Sequence, residues 1–335
     1  MKNILFVSDV WPPEKDGVVT SLLNLKKGLE ERGYTVHVIE PGQFMNFKLP
    51  FYKDIRLSVF VKWKVKKLML EANPDYIHIA TPGTLGFSAR SVCIEKNWKF
   101  TTFYHTRYPE YLKIRFGGLK KAAYNYLRWF NEAADKMMVS CPSLKEELKK
   151  KEFKNMVICP LGVDTKLFQK SQAAKLPEGI IPPVFTFLGR IGPEKNIKSF
   201  LKCNLPGSKL IIGDGAIRKR LEKEFPKNTL FVGKKSGHEI VDLLSISDVF
   251  VFPSKTDTFG LSMLEAMATE VPIAAYNVPG PKDIITNGVD GYFGKNLEKN
   301  ALKCLELDGK NSREKAKKYS WEKSVTIFLE HLTPI

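Results

Sequence analysis

Two carboxylates, Asp257 and Glu265, stand eight positions apart in the stretch Pro253-Ser254-Lys255-Thr256-Asp257-Thr258-Phe259-Gly260-Leu261-Ser262-Met263-Leu264-Glu265. On a helix that spacing covers roughly 12 Å along nearly one face. Carboxylates that share one glycosidic bond sit only about 5–9 Å apart. The pair therefore suits the two ends of one extended ligand better than an acid–base couple. Between them, the N–H groups of Phe259, Gly260 and Leu261 at a helix start suit a phosphate. Arg190 and Lys195 bracket a glycine-containing turn, Gly189-Arg190-Ile191-Gly192-Pro193-Glu194-Lys195-Asn196, so two cations would converge on one diphosphate. In a chain with 53 Lys and Arg, two ordinary surface cations are the competing reading. His105 follows an apolar run and has the chemistry to donate a hydrogen bond or hold a proton, although many lone histidines are structural.

Strands must carry these groups. Residues 248–253 are short, apolar and rich in β-branched and aromatic side chains, which suits an interior parallel strand. Leu261, Leu264 and Ala268 recur at helical spacing, so a helix begins near Gly260. The same alternation runs through the second half. Strands at 184–188, 209–212, 230–232 and 272–276 lead into Gly189-Arg190, Gly213-Asp214-Gly215, Gly233-Lys234-Lys235 and a loop before Pro279-Gly280-Pro281. Open α/β sheets bind ligands at the carboxyl ends of their strands. Gly189, Gly215 and the other loop glycines, Arg190, Lys195, Asp257 and Glu265 would then gather on one rim.

The first half has the same grammar. A strand at 2–8, a loop at 9–17 with Pro12-Pro13, a helix at 18–32 closed by Gly33 and a strand at 35–40 make a βαβ unit. Asp16-Gly17-Val18 offers a backbone that could approach a phosphate, and a plain turn glycine accounts for Gly17 as well. Without Gly-x-Gly-x-x-Gly a dinucleotide site is not supported. A strand at 74–79 enters Thr81-Pro82-Gly83, and one at 100–104 ends at His105. Next come a strand at 135–141, a helix at 143–151 with Ser143 near its cap, and a polar stretch at 169–183 that reads as the interdomain linker.

The 335 residues suit two domains, and 43% hydrophobic content is globular. A charge of +17 points to a polyanion, an anionic membrane surface or a phosphorylated small molecule, although a lysine-rich composition alone also explains it. Cys93, Cys141, Cys159, Cys203 and Cys304 show no metal spacing and read as reduced core thiols of a cytosolic protein. No stretch has the length of a spanning helix, so membrane contact would be peripheral, at the inner face. Two segments, 46–67 and 112–130, mix cations with aromatic residues. The first includes Phe47, Leu49, Phe51, Tyr52, Phe60 and Trp63, and the second Arg115, Phe116, Leu119, Tyr126 and Trp129. Each suits either a bilayer interface or an amphipathic helix packed on its own sheet. Neither forms a nucleic-acid motif, so no nucleic-acid partner is expected.

In this order, Asp16-Gly17-Val18, His105-Thr106, Pro160-Leu161-Gly162-Val163-Asp164, Gly189-Arg190 with Glu194-Lys195-Asn196, Gly213-Asp214-Gly215 and Asp257 to Glu265 resemble the family-4 retaining glycosyltransferases of the GT-B fold. The resemblance covers nearly the whole chain. The family's carboxylate pair reads Glu-x7-Glu, and here Asp257 is its first member. Thr256-Asp257-Thr258-Phe259-Gly260, with His105-Thr106 and Tyr108-Pro109-Glu110-Tyr111, looks like the branch that glycosylates membrane lipids: sulfoquinovosyl-, glucosyl- and mannosyl-transferases.

The resemblance implies an α/β chain of two Rossmann-like domains, their parallel sheets facing across a cleft. These would be residues 1–168 and 169–319, with a C-terminal helix within 320–335 returning to the first. It implies a donor such as GDP-mannose or a UDP-hexose, and a lipid or glycan acceptor. Glu265 would bind ribose hydroxyls, Arg190 and Lys195 the diphosphate, and Lys234 would lie near the base. Asp257 and the 259–261 backbone would hold the sugar and its phosphate. Gly17 would let a loop close over the diphosphate, and His105 would touch the sugar from the opposite wall.

Such a reaction needs fixed cations and N–H groups for the leaving diphosphate, and no cofactor or metal. No Asp-x-Asp occurs that would bridge a metal to it. Same-face attack with retention is expected, since no protein nucleophile is evident. Two features depart from the family: Glu270 stands where a glycine is usual, and the chain is short. A nucleotide-sugar epimerase on the same fold and a basic nucleic-acid-binding protein are the competing functions.

Overall fold

The structure, a computed structural model, describes residues 2–14, 16–49 and 52–335. Two compact units emerge, one of Met1–Pro109, Leu119–Pro160 and Trp321–Ile335, the other of Glu110–Gly118 and Leu161–Ser320. The change of unit falls at 160/161, where the sequence suggested 168/169, and residues 110–118 group with the second unit.

In chain order the first unit contains β1 (Asn3–Val7), α1 (Gly17–Glu30), β2 (Thr35–Ile39), β3 (Asn46–Leu49), β4 (Tyr52–Ser58), α2 (Val61–Ala72), β5 (Tyr76–Ile79), α3 (Thr84–Lys96) and β6 (Thr101–Phe103). Helix α4 (Tyr108–Phe116) straddles the division, and α5 (Lys120–Glu132), β7 (Lys136–Val139), α6 (Pro142–Lys149) and β8 (Met156–Ile158) complete the set. Six strands form a parallel sheet in the order β2-β1-β5-β6-β7-β8. Ile4, Leu5, Phe6 and Val7 are all fully buried, as a strand covered on both faces requires.

The second unit contains β9 (Val184–Leu188), α7 (Ile197–Leu201), β10 (Ser208–Ile212), α8 (Arg218–Glu224), β11 (Thr229–Gly233), α9 (His238–Ser245), β12 (Val249–Phe252), α10 (Leu261–Ala268), β13 (Ile273–Tyr276), α11 (Pro281–Ile284), β14 (Gly291–Gly294), α12 (Leu297–Cys304) and α13 (Gly309–Ala316). Its parallel order, β11-β10-β9-β12-β13-β14, is the doubly wound arrangement with β9 and β12 at the switch point. The last helix, α14 (Trp321–His331), belongs to the first unit. A Cβ on Gly28 of α1 would come 2.6 Å from Val325 of α14, so the two helices meet where only glycine fits.

Several local expectations change. Residues 46–49 and 52–58 pair as antiparallel strands, β3 with β4, ahead of an amphipathic α2 that buries Val61, Val65 and Met69. Phe51 lies outside the described residues, as do the side chains of Leu49, Tyr52 and Phe116. The stretch 169–183 is not a free linker: Ser171 N–H donates to Ser245 Oγ at 2.8 Å, and Ile180 packs with Val184, Leu210 and Ile212. Helix α6 starts at Pro142 with Cys141 before it, so Ser143 lies inside the first turn. All five cysteines are buried and free, and burial pushes the Cys93, Cys159 and Cys304 thiols up to about 12. No helix of the described residues is long and apolar enough to cross a membrane.

Candidate active site

In the second unit the carboxyl end of β12 runs into the loop that holds Asp257, and α10 starts at Leu261. Gly260 adopts φ 101°, and a Cβ there would meet Met263 Cε at 2.5 Å and Phe252 Cζ at 3.1 Å, so this helix entry demands glycine. Asp257 thus lies in the loop and only Glu265 on the helix. The eight-residue spacing is not a helical one.

The loop after β9 is tied to this loop at three points. Asn196 Nδ2 donates to Pro253 O at 3.1 Å, Thr256 Oγ1 donates to Glu194 O at 3.0 Å, and Lys195 Nζ donates to Asp257 Oδ1 at 2.6 Å. Asp257 Oδ2 is buried and makes no hydrogen bond among the described residues. Burial alone would lower the Lys195 ammonium's pKa, but the Asp257 carboxylate and Tyr111 outweigh it and hold the pKa above its usual value. Tyr111 feels the charges of Lys195 and Asp257, and burial raises its phenol.

Glu194 is only 1% exposed. Arg190 Nη2 lies 2.9 Å from its Oε1, and Arg115 Nη2 donates to Oε2 at 2.7 Å. Burial pushes the Glu194 carboxyl up, and the two guanidiniums more than reverse it, so the net shift is downward. One buried carboxylate thus needs both arginines to offset its desolvation. Arg190 and Lys195, expected to converge on a diphosphate, each also hold a carboxylate. Three cations face two carboxylates, and the cluster stays electropositive.

Around it, Ile191 N–H donates to Asp214 O at 2.8 Å and Gly213 N–H to Gly233 O at 2.8 Å, which aligns the loops of β9, β10 and β11. A Cβ on Gly213 would stand 1.9 Å from Gly189 O, so those two loops touch backbone to backbone. Gly189, Gly215 and exposed Lys234 therefore share the rim with Arg190 and Lys195. The Glu265 carboxylate, half-buried, makes no hydrogen bond among the described residues, and burial pushes it up to about 7.

Gly17 and His105 belong to the first unit. Gly17 opens α1, and the N–H groups of Val18 and Val19 donate to Asp16 Oδ1 at 2.9 Å each, so that helix start carries its own carboxylate cap. The His105 ring stacks on Phe103 with centroids 4.0 Å apart, and burial pushes its pKa down to about 3, so the imidazole is neutral near pH 7. It lines a pocket with Thr81, Pro82, Tyr108, Leu127 and Asn131.

Sequence reasoning missed Asp9. Its carboxylate accepts from Thr81 Oγ1 at 2.8 Å, Gly83 N–H at 2.9 Å and Leu85 N–H at 2.8 Å, filling the start of α3, and burial raises its pKa. A polar residue ending an apolar strand was the available signal. Tyr111 and Arg115 stand in stretches the sequence singled out, 108–111 and 112–130, but no local pattern links positions 111 and 115 to 194 and 257.

Two family models divide the chain at 167/168. The family model described as Glycosyltransferase Family 4 matches residues 15–167, and Glycosyl transferases group 1 matches residues 168–320. The alpha-monoglucosyldiacylglycerol synthase of Acholeplasma laidlawii is 30% identical over 87% of this chain and 84% of its own length. The sulfoquinovosyl transferase SQD2 of Arabidopsis thaliana is 28% identical over 90% of this chain, which spans 64% of that relative's length. Among solved structures, sucrose-phosphate synthase from Thermosynechococcus elongatus superposes with a TM-score of 0.79 at 19% identity, covering 98% of each chain. Anabaena HepE in complex with UDP and glucose gives 0.74 at 16% identity, covering 98% of this chain and 99% of that one.

Two parallel Rossmann-like units with a charged rim at the switch point of the second define the GT-B class of α/β protein. The chain belongs to the family-4 glycosyltransferases. Nothing in these relatives supports the epimerase alternative.

Proposed function

We propose that the protein moves a hexose from a nucleotide-diphosphate sugar to a hydroxyl of a membrane lipid or lipid-linked glycan, with retention of the anomeric configuration. The carrying observation is the Lys195–Asp257 pair. Lys195 Nζ has three N–H groups, of which Asp257 takes one, and Asp257 keeps a buried oxygen without a hydrogen bond among the described residues. An ammonium beside a developing diphosphate anion, and a carboxylate oxygen beside a sugar hydroxyl, would each find a partner there. Arg190 and the 259–261 backbone would add fixed positive potential at the leaving phosphate. That phosphate's departing oxygen would accept the proton of the attacking hydroxyl, so no protein base and no metal is invoked. Glu265 would take the ribose hydroxyls, and neutral His105 would meet the sugar as a hydrogen-bonding group.

The relatives' names favour lipid acceptors, and HepE was crystallised with UDP and glucose. Peripheral attachment at the inner face of a membrane fits α2, whose start bears Phe60 at 91% and Trp63 at 83% exposure beside exposed Lys62, Lys64 and Lys67. A thermal-shift screen of GDP-mannose, UDP-glucose and UDP-galactose tests the donor, because a true donor stabilises the native state. Absence of any shift with all three would count against the proposal.

A further inference from the structure

Three rings on one side of the first unit are exposed yet fixed. Phe87 of α3 and Tyr126 of α5 each lie against Trp129, with centroids 5.8 and 5.9 Å away. Their exposures are 46%, 37% and 43%. Beneath Trp129 the Arg90 guanidinium sits 3.7 Å from the ring centroid, and it is held in turn by donating to Phe130 O at 3.1 Å and Trp129 O at 2.9 Å. Tyr126 O–H donates to Pro82 O at 2.6 Å. The ledge is thus assembled before any ligand arrives, and the ordering cost that binding normally imposes on side chains is small.

Two observations select the occupant. The Tyr126 hydroxyl and the Arg90 guanidinium are already committed to backbone carbonyls, so beyond the Trp129 indole N–H the ledge offers mainly ring surface, which suits a hydrocarbon chain better than a sugar. It also runs into the His105 pocket: Pro82 lines that pocket and receives the Tyr126 hydroxyl, and Leu127 and Phe130, neighbours of Tyr126 and Trp129 on α5, line it too. Exposed Lys121, at the start of α5, adds a cation for an anionic head group.

We infer that Phe87, Tyr126 and Trp129 form a landing surface for the apolar chain of the acceptor, which places its hydroxyl-bearing end at the His105 pocket. This rests on the lipid-acceptor reading above. It assigns positioning residues, none of which touches the reacting atoms.

The test has two arms. In the first, dihexanoyl phosphatidylglycerol below its micelle concentration is titrated against the wild type, Trp129→Ser, the double variant Phe87→Ser/Trp129→Ser, and the conservative Trp129→Phe. Each lost ring contact should weaken binding about tenfold, with Trp129→Phe close to wild type. In the second, transfer to dioleoylglycerol in mixed micelles should show KM raised about tenfold in Trp129→Ser, with kcat and donor KM within about twofold. Unchanged lipid binding in the double variant would overturn the inference. So would a KM increase confined to a water-soluble hexoside acceptor, which marks a sugar platform. If the wild type binds the lipid yet transfers no sugar, the acceptor reading has failed while the ledge still stands on the first arm.

Discussion

Lys195 Nζ donates to Asp257 Oδ1 at 2.6 Å, joining the loop after β9 to the loop after β12. Both side chains are largely buried, so each is the other's main compensation for lost hydration. Replacing Lys195 by Met strands the carboxylate and should lower stability by about 3 kcal/mol, whereas Lys195→Met/Asp257→Leu should recover part of that loss. Urea unfolding of the wild type, the single variants Lys195→Met and Asp257→Leu, and the double variant measures it. Transfer by Lys195→Met should fall at least about a hundredfold, as loss of a fixed charge-stabilising donor does elsewhere.

Glu194 makes a separate prediction, since its carboxylate lies between Arg190 and Arg115. Glu194→Ala would leave two guanidiniums facing each other near the site, with an expected stability loss of about 3–5 kcal/mol. Glu194→Gln keeps the shape and loses the charge, and should cost less. Similar midpoints for Ala, Gln and wild type in chemical denaturation would contradict the role given to this residue.

The pH dependence of donor binding follows from Glu265, which burial holds up to about 7. Below that value the group is protonated, and above it an acceptor-only carboxylate faces the proposed ribose hydroxyls. Donor affinity should rise from pH 6 to 8, and Glu265→Gln should bind weakly with a flat profile. Stability moves the other way. The unfolded chain ionises this group at the ordinary carboxylate value and the folded chain only near 7, so its contribution declines as pH rises through that window and is level above it. His105, neutral down to about 3, should add no limb near pH 6.5.

Glu270 holds φ 65° just past the end of α10. Val271 N–H bonds to Ala266 O and Glu270 N–H to Met267 O, both at 3.0 Å, which is the double closure that usually ends in glycine. The turn is therefore made by a residue whose Cβ bears the strain of a positive φ. Lys170 lies 3.9 Å away at a partly exposed position and offsets little of it. Glu270→Gly should raise stability by about 1 kcal/mol with unchanged transfer; calorimetry reads the shift in melting temperature.

Both sheets were legible in the sequence because parallel strands buried on two faces leave continuous apolar runs, such as Ile4 to Val7 and Val249 to Phe252. Helix starts were legible where glycine marks them, as at Gly260. The pairing of β3 with β4 was not, because these strands mix cations and aromatics with no clean alternation. Among the site residues, Arg190, Lys195 and Asp257 come together as their loops suggested. Their pairing with Glu194 and with each other was illegible, since sequence shows charges and not which ones meet. Arg115 and Tyr111 join them through tertiary packing that no local signal encodes.

The most direct measurement is the product itself. The protein is incubated with each of GDP-mannose, UDP-glucose and UDP-galactose, dioleoylglycerol in anionic vesicles, and EDTA, and the lipid fraction is read by mass spectrometry and by the anomeric proton coupling in NMR. A hexosylated lipid in the α configuration, formed from at least one donor and lost in Lys195→Met, is expected. Intact lipid beside epimerised or merely hydrolysed donor, or a β-linked product, would contradict retaining transfer to a lipid.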